Sequence, residues 1–490
     1  MPLLPSLTRA VDGQPFDPEG VAFFDLDRTL IDGYSVLPFV AEGLTSGLLR
    51  PTRLLARAQA ILEAGEGGLG ELVEEFLQAL EGVPEADLDR LGERVFRRHL
   101  AGRVHPEARA LMRAHRERGH RVVIVTSATR FQAAPIARAL GVEDGDLLCT
   151  RATVDERGRL TGRWQLPGCW NDGKRLHARL WLRRHGGRLA DAWFYTDSAE
   201  DLPLLEHVGH PVAVDADPIL RRYARRAGWP LLRFRGRGPD LEAVVRSSMV
   251  LSGFYGSALA GASTFLFGGS LADAADVAGR TFGATGLTLA GVRLRVHGEQ
   301  HLRAARGAVV VFNHQSALDA LVMARLVRVP YVGVAKAELG RNPLLGPLLR
   351  GAGTVFVDRG SKAGVRQLAP AVDALRAGKA VLIAPEGTRS YGTLPAPFKR
   401  GAFYLAKRAR VPILPVVIHN AADVLPRGSL LLKPRVPVEV TVLPPIDTSS
   451  WRASDLGAQA DALHARYLEE LGFLPRALAC APASELPIAV

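Results

Sequence analysis

The sequence predicts two α/β domains that follow one another in a chain of 490 residues. This length exceeds that of a typical single domain, which has about 100–150 residues. An apolar run ends in two aspartates at 21–27, and a second apolar, β-branched run ends in Asn-His at 308–314. Strands buried on both faces of a parallel sheet have this pattern, and α/β proteins bind their ligands at the ends of such strands. Helical periodicity flanks both runs, so each half is expected to alternate strands with helices.

The composition is that of a basic globular protein. Hydrophobic residues make up 47% and charged residues 23%, and the formal net charge is +12. Such a charge favours phosphorylated substrates or anionic lipid. No basic stripe is interleaved with aromatic residues, so nucleic acid is not an expected partner. Cys149, Cys169 and Cys480 are too few and too scattered for a disulfide framework or a zinc site, and the first five residues lack the features of a signal peptide, which together predict a cytoplasmic protein.

The first half carries polar groups at the ends of three predicted strands. Asp25 and Asp27 lie at i and i+2 after the run 21–24, so both can face one site. The run 122–125 ends in the hydroxyls of Thr126 and Ser127. The other candidates are Lys174, at the head of a helical segment, and the acids that follow the run 193–196, Asp197 and Asp201.

These residues give the stretch 18–232 a resemblance to the haloacid dehalogenase superfamily of phosphatases, and to its branch that includes phosphoserine phosphatase. The resemblance rests on Asp-x-Asp-x-Thr at 25–29 and Asp-Ser-x-x-Asp-Leu-Pro at 197–203. It implies a Rossmann-like core in residues 1–235 with a helical cap at about 33–104. Apolar residues recur three or four apart across the cap, as on amphipathic helices, and the Gly-rich segment 65–70 is interpreted as a helix break within it.

The same resemblance implies a role for each group. Asp25 would attack phosphorus and form an aspartyl-phosphate, while Asp27 would protonate the leaving oxygen and then activate water. Thr126 would hydrogen-bond a phosphoryl oxygen, with Ser127 as the alternative, and Lys174 would neutralise charge on the transferring group. Mg²⁺ is the expected cofactor, because it prefers hard oxygen ligands. Its candidate ligands are Asp25, Asp27 through its backbone carbonyl, Asp197, and Asp201, the last acting through a metal-bound water or by orienting Lys174.

The stretch 236–290 is interpreted as a linker with an apolar helix. Arginines cluster at 221–237, and the segment 247–272 that follows has no charged residue. Small residues recur every four positions across 253–261, which suits close helix packing. Three interpretations stay open: a helix buried against the second domain or lying in the membrane interface, a membrane-inserted segment, or an ordinary linker helix. A membrane surface is therefore a candidate partner, with the protein peripheral to or anchored at the inner membrane.

Residues 291–474 alternate between predicted strands and helices. The predicted strands are 293–296, 308–313, 331–335, 354–358, 380–384, 413–418 and 438–442. His314 ends the second of these, and Asp319 follows after one turn of chain. This spacing lets the carboxylate hold one ring nitrogen and leave the other as a general base. The tail, 475–490, has no periodicity and is expected to be loosely ordered.

Four motifs give residues 291–471 a resemblance to the glycerolipid acyltransferase family, whose bacterial type is 1-acylglycerol-3-phosphate acyltransferase. They are Asn-His-x4-Asp at 313–319, Gly-Thr-Val-Phe-Val-Asp-Arg at 353–359, Pro-Glu-Gly-Thr-Arg-Ser at 385–390 and Val-Pro-Ile-Leu-Pro-Val at 411–416. The resemblance implies that His314 deprotonates the sn-2 hydroxyl of lysophosphatidate while Asp319 orients the imidazole. Acyl-CoA or acyl carrier protein would be the donor, and phosphatidate the product.

A phosphorylated acceptor requires cationic side chains and backbone amides around its phosphate. The candidates are Lys336, Arg359, Gly387, Thr388, Arg389 and Lys399. Glu386 is expected to order the loop that contains three of them or to bind the glycerol hydroxyl.

The sequence therefore predicts a bifunctional enzyme of phospholipid synthesis, which joins acyl transfer to Mg²⁺-dependent hydrolysis of a small phosphomonoester. One alternative is an acyltransferase whose first half is a non-catalytic regulatory module. The other is a phosphoserine-type phosphatase whose second half is an adaptor. Both halves contain a full set of candidate catalytic residues, which argues against each alternative.

Overall fold

The computed structural model describes residues 4–49, 76–234, 241–342, 345–358, 367–427, 429, 432 and 437–474. The chain divides into two compact units, Met1–Arg237 and Gly238–Val490. The stretch interpreted as a linker, 236–290, lies almost entirely in the second unit. Several predictions concern residues outside the described ranges: the middle of the cap with its Gly-rich segment, the end of the arginine cluster, Arg359 and the tail.

A six-stranded parallel sheet forms the centre of the first unit. The strands of this unit are β1 (Val21–Phe24), β2 (Arg121–Thr129), β3 (Leu147–Thr150), β4 (Ala152–Val154), β5 (Leu160–Trp164), β6 (Trp193–Thr196), β7 (His210–Val214) and β8 (Leu231–Leu232). The sheet has the order β3-β2-β1-β6-β7-β8, and β4 and β5 form a separate antiparallel pair. All four residues of β1 are buried, as expected for a central strand that is covered on both faces.

Helices cover this sheet and also occupy the described parts of the stretch predicted as a cap, 33–104. They are Leu4–Asp12, Val36–Thr45, Glu85–Val95, Pro106–Glu117, Arg130–Ala139, Asp172–His185, Leu202–Leu205 and Pro218–Ala227. On one face of the sheet, Phe23 and Phe194 pack with Trp181 and Leu220 from two of these helices. This packing sets the carboxyl ends of β1, β2 and β6 side by side, because the three strands are adjacent and parallel.

The second unit is built on a seven-stranded sheet, which confirms the predicted α/β pattern. Its strands are β9 (Leu294–His297), β10 (Val309–Phe312), β11 (Tyr331–Lys336), β12 (Val355–Val357), β13 (Ala380–Ile383), β14 (Ile413–Ile418) and β15 (Val438–Val442), in the order β12-β11-β13-β10-β14-β15-β9. β14 and β15 are antiparallel, whereas β10 is parallel to both of its neighbours, β13 and β14.

Alternate residues of β10 face two different hydrophobic layers. Val309 and Val311 belong to the layer that contains Phe403 and Tyr467, whereas Val310 packs in the layer that contains Val322. The described helices of this unit are Leu241–Leu266, Leu271–Leu289, Leu318–Leu326, Ala337–Gly340, Leu345–Gly351, Ala369–Arg376, Gly401–Ala409, Ala421–Val424 and Leu456–Glu470. The centre of the sheet is thus covered on both sides, which is why β10, β13 and β14 are wholly apolar.

The stretch predicted as one linker helix forms two helices, Leu241–Leu266 and Leu271–Leu289, which pack on one another. The break has a local cause, since Gly268 has a φ of +89° and Ser270 forms a capping box with Asp273. At Gly261 the helices approach so closely that a Cβ atom would lie 2.3 Å from a carbonyl oxygen of the partner helix. Within the described ranges, no helix has the length and apolarity needed to span a membrane.

Candidate active sites

The first candidate site lies at the carboxyl ends of β1 and β6. Asp25 follows β1 directly, and its backbone N–H donates to the carbonyl of Tyr195 in β6. Asp197 follows β6, so the two carboxylates leave neighbouring strands at the same edge of the sheet. Both carboxylates are buried. Burial raises the pKa of Asp25, although the nearby Lys174 limits the rise.

Lys174 joins two carboxylates in this site. Its Nζ lies 2.7 Å from Oδ1 of Asp25 and 2.8 Å from Oδ2 of Asp201. Thr196 also donates to Oδ2 of Asp201, at 2.5 Å. Burial alone would lower the pKa of the Lys174 ammonium, but the two carboxylates outweigh it and raise that pKa. In this arrangement Asp201 orients Lys174, which was one of its two expected roles.

Asp27 and Asp197 are held by neighbours that the sequence interpretation did not assign. Asp27 accepts hydrogen bonds from the N–H of Ser35 at 2.8 Å and from its hydroxyl at 3.2 Å. Arg28 lies 3.1 Å from Oδ2 of Asp197, and Thr29 donates to Oδ1 at 3.3 Å. Burial raises the pKa of both carboxyls, to about 6 for Asp197. The φ of Arg28 is +61°, an uncommon conformation for a residue with a side chain.

The oxygen atoms at this edge of the sheet are of the type that Mg²⁺ prefers. The carboxylates of Asp25 and Asp197 and the backbone carbonyl of Asp27 could supply three oxygens, with water completing an octahedron. Their buried negative charge, expressed in the raised pKa values, is what a divalent cation would offset. Among the described residues, no group of three His, Cys, Asp or Glu side chains is arranged to hold a metal ion by side chains alone.

The hydroxyl expected to bind phosphate lies in β2, the strand beside β1. Thr126 is buried, and its Oγ1 accepts a hydrogen bond from the N–H of Ala128 at 3.1 Å. Ser127 is half-buried, and its carbonyl accepts from Thr150. Thr126 therefore points to the interior at the level of the site, while Ser127 remains the alternative.

The second candidate site lies at the carboxyl end of β10. Nδ1 of His314 lies 2.8 Å from Oδ2 of Asp319, which is fully buried in the first turn of helix Leu318–Leu326. The N–H groups of Gln315 and Ser316 donate to the same oxygen, at 2.7 and 2.8 Å. The imidazole is 28% exposed. The contact between His314 and Asp319 that the spacing predicted is therefore present, and it engages Nδ1 of the ring.

Asn313 explains why β10 ends where it does. Its side chain donates to the carbonyl of Ile418 at 2.8 Å and accepts from the N–H of the same residue at 2.7 Å. These two bonds replace the backbone pairing with β14 and turn the chain out of the sheet. Such a pair fixes the start of the His314 loop against a neighbouring strand.

Glu386 follows β13 and binds the backbone of the His314 loop. Oε1 accepts from the N–H of His314 at 2.7 Å, and Oε2 accepts from the N–H of Ala396 at 2.9 Å. Burial raises the pKa of Glu386 to about 8, and the two N–H groups limit the rise. Both carboxylate oxygens are engaged, so this arrangement favours the loop-ordering role over contact with glycerol.

The predicted phosphate-binding residues fall into three groups: those at the loop after β13, one at the end of β11, and one outside the described residues. Gly387 has a φ of +80°, and a Cβ atom on it would lie 2.8 Å from Nζ of Lys399, so these two residues lie together. Thr388 is exposed and Arg389 half-buried in the same loop. Lys336 ends β11, two strands from β10, where it pairs with Glu338 at 2.7 Å. The described contacts do not join Lys336 to His314, and Arg359 lies outside the described residues.

Two further residues support this site without having been assigned a role from the sequence. The N–H and hydroxyl of Ser390 lie 2.8 and 3.2 Å from the carbonyl of His314. The hydroxyl of Tyr467 donates to the carbonyl of Val311 in β10 and accepts from the N–H of Val416 in β14. Ser390 belongs to the Pro-Glu-Gly-Thr-Arg-Ser motif, so its role could have been predicted from the sequence. Tyr467 lies far along the chain in an ordinary amphipathic helix, so its role could not.

Comparison with known proteins agrees with this division. The family model of haloacid dehalogenase-like hydrolases matches residues 22–206, and that of acyltransferases matches residues 293–419. A 1-acyl-sn-glycerol-3-phosphate acyltransferase of Limnanthes douglasii is 30% identical over 212 residues, which cover 43% of this chain and 71% of the relative. The phosphoserine phosphatase SerB1 of Mycobacterium tuberculosis is 32% identical over 253 residues, 50% of this chain and 80% of the relative.

A third relative, a histidinol-phosphatase of Neisseria meningitidis, is 26% identical over 223 residues, which cover 44% of this chain and 100% of the relative. These two phosphatases, which are similar to this chain, are thus named for different phosphomonoesters, phosphoserine and histidinol phosphate. The chain belongs to two families, the haloacid dehalogenase-like hydrolases through its first unit and the acyltransferases through its second.

Proposed function

We propose that the second unit transfers an acyl group from acyl-CoA or acyl carrier protein to the sn-2 hydroxyl of 1-acylglycerol-3-phosphate. The contact between His314 and Asp319 is the observation that carries this proposal. Nε2 of His314 takes the hydroxyl proton while the hydroxyl oxygen attacks the thioester carbonyl, and the proton then passes to the leaving sulfur. Asp319 stabilises the imidazolium that forms between these events. The products are phosphatidate and the free thiol.

The acceptor's phosphate binds at the loop that follows β13. Lys399 lies against Gly387 there, and Arg389 belongs to the same loop, so two cations and the loop amides are available to one anion. The name of the Limnanthes relative supports a glycerol phosphate as acceptor. Arg359 is a further candidate for the phosphate contact from its position in the sequence. Lys336 is a weaker candidate, because its ammonium is paired with Glu338.

The first unit hydrolyses a small phosphomonoester in this proposal. Asp25 attacks phosphorus and becomes an aspartyl-phosphate, and Asp27 protonates the leaving oxygen and then deprotonates water. Lys174 would neutralise charge on the phosphoryl oxygens and Thr126 would hydrogen-bond one of them, and Mg²⁺ would supply further positive charge when bound. Asp25, Asp197 and the carbonyl of Asp27 would hold the cation. The two phosphatase relatives support the class of phosphomonoesters.

Peripheral attachment to the inner membrane completes the proposal. Helix Leu241–Leu266 and the turn after it expose large apolar side chains, which is unusual for a surface in contact with water alone. Leu259, Leu266 and Phe267 are 71%, 81% and 91% exposed. An open apolar groove on the same helix is lined by Val244 and Met249. A bilayer surface would also concentrate the lipid acceptor.

The test is to assay both activities of the full chain in two variants. We expect His314→Ala to lose acyl transfer by several orders of magnitude and to keep phosphatase turnover, because the imidazole is the only proposed base. Asp25→Asn should lose phosphatase turnover and keep acyl transfer, since a carboxamide cannot form the aspartyl-phosphate. The phosphatase substrates to be tested are phosphoserine, histidinol phosphate, glycerol phosphates, lysophosphatidate and phosphatidate. Near-normal acyl transfer by His314→Ala would refute the base, and no Mg²⁺-dependent turnover by the wild type would leave the first unit as a regulatory module.

A further inference from the structure

A third chain segment, 425–427, lies between the two loops of the acyltransferase site. It follows the short helix Ala421–Val424 and belongs to none of the four motifs. The hydroxyl of Ser316, which stands between His314 and Asp319, donates to the carbonyl of Leu425 at 2.6 Å. The segment is therefore fastened to the loop that carries the catalytic dyad.

The other end of this segment reaches the loop that follows β13. Nη1 of Arg427 donates to the backbone carbonyl of Arg389. The guanidinium carbon of Arg427 also lies 3.9 Å from the centre of the Tyr391 ring. A planar guanidinium can stack on a ring and donate within its own plane at the same time, which an ammonium cannot do. Arg427 thus contacts the residues on both sides of Ser390, through the carbonyl of Arg389 and the ring of Tyr391.

The peptide group that joins Arg389 to Ser390 is consequently held at both of its polar atoms. Its N–H donates to the carbonyl of His314 at 2.8 Å, and its carbonyl accepts from Arg427. The contacts form a closed circuit that runs from His314 through Ser390, Arg389 and Arg427 to Leu425, and returns through Ser316. A circuit of this kind fixes the distance between the general base and the loop that carries Arg389.

We infer that Arg427 is a positioning residue for the acceptor's phosphate, acting through Arg389. This inference rests on the proposed role of Arg389 as a phosphate contact. Arg427 donates to a carbonyl of the loop and stacks on a ring of the loop, and both contacts shape the loop that carries Arg389. Misplacing a catalytic or binding group by about 1 Å costs up to about a hundredfold in rate, which makes such support functionally important.

A double-mutant cycle on the full chain tests this inference. We expect Arg427→Ala to raise the KM of lysophosphatidate about tenfold and to leave the KM of the acyl donor unchanged. In an Arg389→Ala background, Arg427→Ala should change the acceptor KM less than about twofold, because the residue through which it acts is gone. Arg427→Lys should not restore the wild-type KM. Arg376→Ala, which removes an exposed arginine from another helix of the same unit, is the matched control for charge.

The remaining outcomes separate the alternatives. Independent effects of the two substitutions would identify Arg427 as a direct phosphate contact, and rescue by lysine would identify a purely electrostatic effect; either result overturns the inference. An unchanged acceptor KM in Arg389→Ala alone would refute the proposed phosphate role, and the inference with it. Tyr391→Leu removes the stacking ring while keeping bulk, so it provides the same test if Arg427→Ala does not fold, as judged by thermal unfolding. We expect it to raise the acceptor KM in the same direction.

Discussion

Glu386 accepts hydrogen bonds from two segments of the second unit that are far apart in sequence. At the scale of the residue, this role requires an acceptor at each of two oxygens, which the ionised carboxylate supplies above its raised pKa of about 8. A glutamine of the same size has one acceptor oxygen, so its NH₂ group would face the N–H of His314 or of Ala396. Leaving one buried donor without a partner costs about 1–3 kcal/mol.

We therefore expect Glu386→Gln to lower the kcat of acyl transfer roughly tenfold and to lower the thermal unfolding temperature. The loss in kcat follows because the backbone of His314 shifts from its position beside Asp319. Glu299→Gln is the matched control, since Glu299 is an exposed carboxylate in the same unit. Steady-state kinetics and thermal unfolding measure both effects, and a variant with normal kcat would contradict the role of Glu386 in setting the loop.

Helix Pro106–Glu117 and strand β2 of the first unit are joined, at the scale of the element, through a buried pair of histidines. Nδ1 of His115 lies 2.8 Å from Nδ1 of His120, and Nε2 of His115 lies 2.9 Å from the hydroxyl of Tyr195 in β6. The two Nδ1 atoms can share one proton, so protonation of both rings would break this bond. Burial lowers the pKa of both histidines, most strongly for His115.

The lowered pKa values predict a loss of stability in acid. As the pH falls below about 6.5, histidines of the unfolded chain take up protons before the buried ones do, so unfolding becomes more favourable. Each such histidine contributes up to about 1.4 kcal/mol per pH unit until its folded pKa is reached. His120→Gln removes one of them, so its stability relative to the wild type should increase as the pH falls from 7 to 5.

Denaturant unfolding of the full chain at several pH values measures this difference. Burial raises the pKa of Asp25 and Asp197, so the contribution of these carboxyls to folding stability has the opposite pH dependence. Both carboxyls are present in the wild type and in His120→Gln, so this contribution cancels in the comparison. His207→Gln is the matched control, because that side chain is exposed in the same unit. A difference between His120→Gln and the wild type that does not vary with pH would show that the pair does not titrate on unfolding.

The whole molecule combines a net charge of +12 with exposed apolar side chains beside the acyltransferase sheet. Anionic lipid attracts basic protein surfaces over about a Debye length, roughly 8 Å at physiological salt. Insertion of apolar side chains into the interface adds a contribution that salt does not weaken. The two contributions can therefore be separated by varying the salt concentration.

We expect the full chain to float with anionic liposomes at low salt and to bind progressively less as salt rises. Replacing Leu266 and Phe267 by serine should lower binding at every salt concentration. Leu166→Ser is the matched control, since Leu166 is 84% exposed in the first unit. Flotation with anionic and with neutral vesicles measures both contributions. A wild-type chain that stays unbound to anionic vesicles at low salt would end the membrane proposal.

Much of both candidate sites could be predicted because their chemistry lies in short local motifs. Asp25 and Asp27 were expected on one face because alternate residues of an extended chain point the same way, and the charge of Lys174 limits the rise in pKa of both carboxyls. His314 reaches Asp319 because a strand end and a helix start are joined by one turn of chain. The α/β class followed from apolar strands of the length and composition that parallel sheets require. Such features depend on neighbours in sequence, and the sequence by itself determined them.

The supporting contacts were decided only by the tertiary structure. The carboxylate of Glu386 meets the backbone of His314 across 72 residues, and Arg427 meets Arg389 across 38. No periodicity or spacing encodes such pairs, because the order of strands in the sheet brings them together. Strand order is set by the packing of both hydrophobic layers at once, and that packing is a property of the whole unit.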